Sequence, residues 1–329
     1  MARSVRIHAF GGPEALAIEE IAHPEPGVGE VRLRIRAIGI NRTEASFRAG
    51  RVAVRPTMPT HLGMEAAGEI EAVGPGVAGF AVGDRVSVIP AFGVNDYGLY
   101  GEVALAPARA LAKMPEAQSW EEGAATWSAF GTAWLGLIDI AQLSAGRVVL
   151  ITAASSSVGL AAIQVARMVG AVPIALTRTS AKAEALLAAG AAHVVATGET
   201  NVVASVMEHT HGKGAQVVFD AVAGPGFAQL ALAAAPGAIA LVYGVLDPNP
   251  APLPILGLIT RDLTIRGFAI NLAVQDDARL EALKRFVDEG LASGALRPVI
   301  DKTFPFDEIA ESHRYLEAGG QIGKIVVTA

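Results

Sequence analysis

Residues 30–41, EVRLRIRAIGIN, alternate charged and apolar side chains, the period-two mark of a half-buried strand. Residues 68–90 continue the style as two strands around a loop, with turn signals at Gly74-Pro75-Gly76 and Gly83-Asp84. Residues 101–115 carry it on, so the first 120 residues predict a compact β-barrel-like domain of many short strands. Near Ser119 the period lengthens. Residues 119–141 read as helix, opened by a capping box of Ser119 and Glu122. Strands and helices then alternate: strand 147–153 and helix 157–169, strand 172–177 and helix 180–189, strand 193–196 and helix 200–210, strand 216–220 and helix 226–234, then strand 238–243. That alternation predicts a parallel, doubly wound sheet, hence an α/β fold class. Residues 245–272 hold a proline-rich loop and one more strand, LTIRGFAI; a helix covers 276–294, and the tail is a helix followed by a strand. The change of texture sets a first domain at 1–120, completed by 273–329, and a second at 121–272.

Composition sharpens this picture. At 329 residues and 52% hydrophobic, the chain holds enough apolar material for two cores. Its apolar stretches are broken by charges and glycines before reaching 18 clean residues, and MARSVRIHAFGGPEAL has no signal-peptide apolar region. A net charge of −6 without blocks of like charge speaks against nucleic acid as a partner. The absence of cysteine excludes disulfides, thiolate nucleophiles, iron–sulfur clusters and cysteine-rich zinc sites. A cytoplasmic protein with no membrane partner is the expectation.

The chemistry concentrates at the bend 153–159, AASSSVG. A dinucleotide-binding turn uses three glycines: for a tight turn, for close approach of backbone to pyrophosphate, and for helix-on-strand packing. Here those slots hold Ala154, Ser156 and Gly159. The residues stay small, the N–H groups of Ser155, Ser156, Ser157 and Val158 open a helix, and serine hydroxyls add donors for phosphate oxygens. An ordinary strand–helix turn with a serine cap is the competing reading. The next strand ends in Arg178, Thr179, Ser180 and Lys182, with no acid to grip a ribose 2′-hydroxyl. Cations and hydroxyls there suit a 2′-phosphate and so NADPH; solvated charges at a helix start are the alternative.

The stretches 26–41, 61–86, 98–108, 153–171, 186–195 and 319–327 together resemble the medium-chain dehydrogenase/reductase superfamily, in its zinc-independent quinone oxidoreductase-like branch. The resemblance implies a GroES-like β-barrel domain plus a Rossmann domain, an active site in the cleft between them, and a homodimer pairing Rossmann sheets through LTIRGFAI. In zinc-dependent relatives, ligands stand at the positions of Asn41, Met64 and a residue near Trp127 or Ser128. Asn, Met and Trp do not make a site of nitrogen and thiolate ligands, so no metal is expected.

Without a Lewis acid, alcohol oxidation is hard, whereas hydride delivery from NADPH to a quinone or an α,β-unsaturated carbonyl remains feasible. The resemblance places Asn41 near the nicotinamide as an orienting amide, with turn stabilisation as its other reading. Tyr97 and Tyr100 fall where the family lines its substrate pocket; each is a candidate proton or hydrogen-bond donor, or a loop anchor. Met64, Phe92 and Trp127 make an apolar pocket or simply core. Tyr243, Asn271 and Lys324 match segments that run past the cofactor. Two further functions stay open: enoyl-thioester reduction on the same fold, and a non-catalytic NADPH-binding or RNA-associated role.

Overall fold

A computed structural model describes residues 1–51 and 55–329. Its contacts divide the chain into two compact units. One comprises Met1–Ser128, Val274–Leu280 and Pro298–Ala329; the other comprises Ala129–Ala273 and Glu281–Arg297. The segment Glu281–Arg297, expected with the first domain, belongs to the second unit.

The first unit begins with strands β1 (Ala2–Ile7), β2 (Ala17–Ile21) and β3 (Glu30–Ile40), then helix α1 (Arg42–Arg48). Next come β4 (Thr60–His61), β5 (Ala66–Val73), β6 (Arg85–Val88), β7 (Val103–Pro107), β8 (Leu111–Lys113) and helix α2 (Trp120–Ala124). The Ser119 capping box forms, its hydroxyl accepting from Glu122 N–H while the Glu122 carboxylate accepts from Ser119 N–H. The helix predicted over 119–141 is interrupted. It ends at Ala124, restarts as α3 (Trp127–Trp134) and widens to a π-helical turn at Leu135–Ile140. The restart has a chemical cause: the Glu65 carboxylate takes the Ser128 N–H at 2.7 Å, supplying a partner that the first turn of a helix lacks.

In the second unit, α3 leads to β9 (Val148–Ile151), α4 (Ser157–Met168), β10 (Val172–Thr177), α5 (Ala183–Ala188), β11 (His193–Ala196) and α6 (Val202–His209). Then follow β12 (Ala215–Asp220), α7 (Phe227–Ala233), β13 (Ala234–Val242), α8 (Ile255–Arg261), β14 (Thr264–Gly267) and α9 (Ile270–Ala273). Helix α10 (Asp277–Ser293) comes next. The six strands pair in parallel in the order β11-β10-β9-β12-β13-β14, the doubly wound order with its reversal between β9 and β12. Leu150, Ile174, Leu176, Val195, Val218 and Leu230 are among the side chains of the core between this sheet and its helices.

The chain closes with β15 (Ile300–Pro305), α11 (Ile309–Ala318) and β16 (Lys324–Thr328), which return to the first unit. There β16 lies between β15 and β3 in a seven-stranded sheet ordered β15-β16-β3-β5-β6-β8, with β7 also paired to β3; β2-β1-β4 form a separate sheet. Antiparallel pairing of β3 with β5, β7 and β16 makes it the spine of the barrel. Among the described residues no helix is long and apolar enough to cross a membrane.

Candidate functional site

Each unit carries one concentration of chemistry. In the second unit it sits at the carboxyl end of β9, the reversal point of the sheet, where open α/β sheets bind ligands. Ala153 turns the chain with a φ of 46°, an uncommon angle for a residue with a side chain. Ser156 caps α4, its hydroxyl accepting from Gly159 N–H at 3.0 Å. A Cβ on Gly159 would stand 2.6 Å from Ala153 O, Ala154 Cα and Ala154 O, so only glycine lets α4 start this close to the turn. The bend therefore has the shape of a dinucleotide turn despite its serines. Ala154 is buried, whereas Ser155, Ser156, Ser157 and Val158 are all partly open to solvent.

Across the reversal, the Asp220 carboxylate accepts from Thr152 Oγ1 at 2.6 Å and from the N–H groups of Val222 and Ala223 at 2.9 Å. Thr152 Oγ1 in turn accepts from Ala221 N–H. This clamp fixes the two loops that flank the reversal point. Sequence reasoning missed it, although Asp220 ends one predicted strand and Thr152 stands one residue before the end of another. Lys182 Nζ donates to Ser155 Oγ at 3.2 Å, bringing an ammonium to the bend, while Arg178, Thr179 and Ser180 are exposed nearby in the chain. Glu199, also missed, accepts from Ser180 N–H at 3.0 Å, so an acid does stand at this strand end after all.

Tyr243 stacks on Phe219, their centroids 4.3 Å apart, and Phe268 packs beside both. Its hydroxyl is buried without a partner among the described residues, and burial raises its pKa. The residue as a whole is half-buried, with its ring in this aromatic cluster. Asn271 is half-buried on α9.

In the first unit, chemistry gathers around Asn41, the residue between β3 and α1. The Asn41 amide donates from Nδ2 to Gly39 O at 3.2 Å and to Glu44 Oε1 at 3.3 Å, and its Oδ1 accepts from Lys324 Nζ at 2.6 Å. Lys324 also donates to Glu65 Oε2 at 2.5 Å. Both members of that ion pair are buried, Lys324 at 1% exposure and Glu65 at 0%. Gly39 makes room for it: a Cβ there would meet Ala124 O at 2.1 Å and Lys324 Cε at 2.9 Å. Lys324 is thus a buried cation bonded to both Glu65 and Asn41. Glu44 accepts at the same Oε1 from Met64 N–H, while its Oε2 has no partner among the described residues. Burial pushes the Glu44 carboxyl up to about 7, against the lowering pull of Lys324.

The aromatic candidates separate. Tyr97 donates to Glu30 Oε1 at 2.7 Å and packs edge-on to Phe92; desolvation, then that bond to Glu30, raises its pKa to about 12. Tyr100 is fully buried, with its hydroxyl 3.1 Å from His313 Nε2. Its phenol is committed to the core, which argues against direct proton donation by it. Met64, Phe92 and Trp127 are buried as well.

The positions at which zinc-dependent relatives place ligands thus hold an amide whose oxygen already accepts from an ammonium, a thioether and an indole. No group of three or more metal-ligating side chains occurs among the described residues. A buried ammonium in contact with the amide oxygen is incompatible with a dication bound to the same atom, so this donor set does not fit zinc.

Residues 27–116 match the alcohol dehydrogenase GroES-like domain, and residues 157–288 match the zinc-binding dehydrogenase family. The chain is 31% identical over 330 residues to quinone oxidoreductase of Homo sapiens, covering 99% of this chain and 97% of that protein. The chain belongs to the medium-chain dehydrogenase/reductase superfamily, in its quinone oxidoreductase-like branch. Among solved structures it is similar to Escherichia coli quinone oxidoreductase complexed with NADPH, with a TM-score of 0.92, 26% identity and 100% coverage of both chains. It is also similar to an NAD-dependent alcohol dehydrogenase, with a TM-score of 0.91, 33% identity and 99% coverage of both chains. The superfamily's two-domain plan, a GroES-like barrel and a Rossmann sheet, is the one seen in the two units.

Proposed function

We propose that this chain is a zinc-independent, NADPH-dependent reductase that passes hydride to a quinone or an α,β-unsaturated carbonyl. The observation that supports the reading is the buried triad of Lys324, Glu65 and Asn41, which sets an ammonium against the Asn41 amide, where the resemblance puts a metal ligand in zinc-dependent relatives. Such a site lacks the Lewis acid that alcohol oxidation needs, whereas an electrophilic acceptor requires only orientation and exclusion of water. The acceptor takes one hydride from the bound reduced nicotinamide, leaving it oxidised, and one proton from solvent. The remaining lone pair of Asn41 Oδ1 would take an N–H of the nicotinamide carboxamide and so orient the hydride donor toward the acceptor, and Met64, Phe92 and Trp127 give the surroundings their apolar character. The N–H groups of Ser155 to Val158 hold the pyrophosphate at the start of α4. Arg178, Thr179, Ser180 and Lys182 take the 2′-phosphate. The relatives named quinone oxidoreductase and the NADPH-bound structure support this choice of acceptor and cofactor. The protein works as a cytoplasmic homodimer without membrane or nucleic-acid partners.

Calorimetry with both coenzymes tests the cofactor assignment. Replacing Arg178 and Lys182 together by alanine weakens NADPH about 10- to 100-fold, the loss of charge-assisted hydrogen bonds, and leaves NADH within about threefold. Equal losses on the two coenzymes overturn the 2′-phosphate assignment, and tighter wild-type binding of NADH identifies Glu199 as the ribose-reading acid. The same preparation oxidises NADPH with quinones or enones, and does so undiminished after treatment with a chelator.

A further inference from the structure

Among the described residues, Glu44 is the buried acid in this neighbourhood that the proposed reaction does not yet use. Its side chain is wholly enclosed, at 0% exposure. One oxygen, Oε1, accepts from both the Asn41 amide and the Met64 N–H; the other, Oε2, meets no partner among the described residues. A buried carboxylate oxygen left bare is costly, whereas a neutral carboxyl keeps Oε1 as an acceptor and carries its proton on Oε2.

The charges around it reinforce that choice. The ionisable groups acting on Glu44 are Lys324 from β16, Glu65 before β5 and Tyr100 before β7, and next to Tyr100 stand His313 from α11 and Arg48 on the helix of Glu44. Lys324 is already matched by Glu65 at 2.5 Å, and Arg48 by Glu317 at 2.7 Å. Ionised Glu44 therefore leaves a net negative charge in the core, and neutral Glu44 leaves none. Burial lifts its carboxyl to about 7, which places the change within the working range of the protein.

We infer that Glu44 is a positioning residue for the reduction: through Asn41 and the Met64 backbone it holds the orienting amide, and its neutral form is the one that supports turnover. Two effects set the direction. Ionisation strengthens the pull of Glu44 Oε1 on Asn41 Nδ2, drawing the amide off its orienting pose. It also sets a second unmatched negative charge beside the place where reduction builds negative charge on the acceptor oxygen. The inference rests on the reductase reading above.

The test is the pH profile of kcat/KM with NADPH and 1,4-naphthoquinone for wild type, Glu44→Gln and Glu44→Asp. Wild type loses about tenfold between pH 7 and pH 8.5, as expected for one group titrating near neutrality. Glu44→Gln runs at a level between the two wild-type limits with no break in that range, and Glu44→Asp restores a break. Unfolding supplies a readout independent of activity. The carboxyl is raised in the fold above its unfolded value near 4.5, so wild type loses stability as pH climbs from there through about 7. The melting temperature of Glu44→Gln minus that of wild type therefore grows between pH 5 and pH 8. A break that survives in Glu44→Gln, or a melting difference flat across that range, overturns the assignment while leaving the reductase reading standing. A wild-type protein that binds NADPH yet reduces no acceptor overturns both.

Discussion

An alanine at position 159 has nowhere to go. Its methyl would press at 2.6 Å on three backbone atoms of Ala153 and Ala154, and backbone cannot rotate aside as a flexible side chain does. Gly159→Ala is expected to destabilise the second unit by about 1–3 kcal/mol, the usual cost of overpacking, read as a lower urea midpoint. It also weakens NADPH, because the turn must open to admit the methyl; unchanged affinity would separate the bend from the pyrophosphate. This residue was legible in the sequence because everything it touches lies within six positions of it. The triad of Asn41, Glu65 and Lys324 was not, because Glu65 and Lys324 are separated by 259 positions and meet only when β16 pairs with β3. A local clue did exist for Glu44: an acid three residues after Asn41 at the start of a short helix is placed to meet that amide.

Helix α11 shows how an element carries pH dependence. His313 lies fully buried on it, with Nε2 at the Tyr100 hydroxyl and Nδ1 without a partner among the described residues. Burial, then the nearby Arg48 charge, lowers its pKa to about 3. The unfolded chain takes up this proton near 6.5 and the folded chain only near 3, so the stability His313 preserves above 6.5 drains away as pH falls between those values. His313→Leu should cost about 1–2 kcal/mol at pH 7.5 by orphaning the Tyr100 hydroxyl, yet lose less melting temperature than wild type on going to pH 4. Parallel melting curves for the two proteins across that range would refute the assignment. Helices and parallel strands of the second unit were legible because their periodicity is local. Strand β15 was not: its sequence IDKTFP exposes half of its side chains and lacks the apolar alternation that marks a buried strand. The unbroken helix predicted over 119–141 failed because the agent that restarts it, the Glu65 carboxylate, comes from a segment 63 positions away, just before β5.

At the scale of the whole molecule, the assignment of Glu281–Arg297 to the second unit could not be read from texture, since an amphipathic helix shows that it needs a partner surface but not which one. The same limit applies to the outer strand of the parallel sheet. β14 ends the order and has a partner, β13, on one side only among the described residues. Nearby segments leave large apolar side chains in the open: Leu256 is 77% exposed, Ile259 74% and Val245 72%. An unprotected edge beside such a patch is a surface that a folded protein ordinarily covers. A second copy would cover both at once, because an isologous contact about a two-fold axis would pair β14 with itself and bury the patch against its own image. Sedimentation velocity is expected to show a dimer for wild type at micromolar concentration. Leu256→Asp combined with Ile259→Asp shifts it to monomer, since two buried carboxylates per subunit would face each other across the axis. The monomer should still bind NADPH, because the serine bend lies on β9, three strands from that edge. A wild-type protein that sediments as a monomer, or a doubly substituted one that stays dimeric, would remove β14 and α8 from the interface.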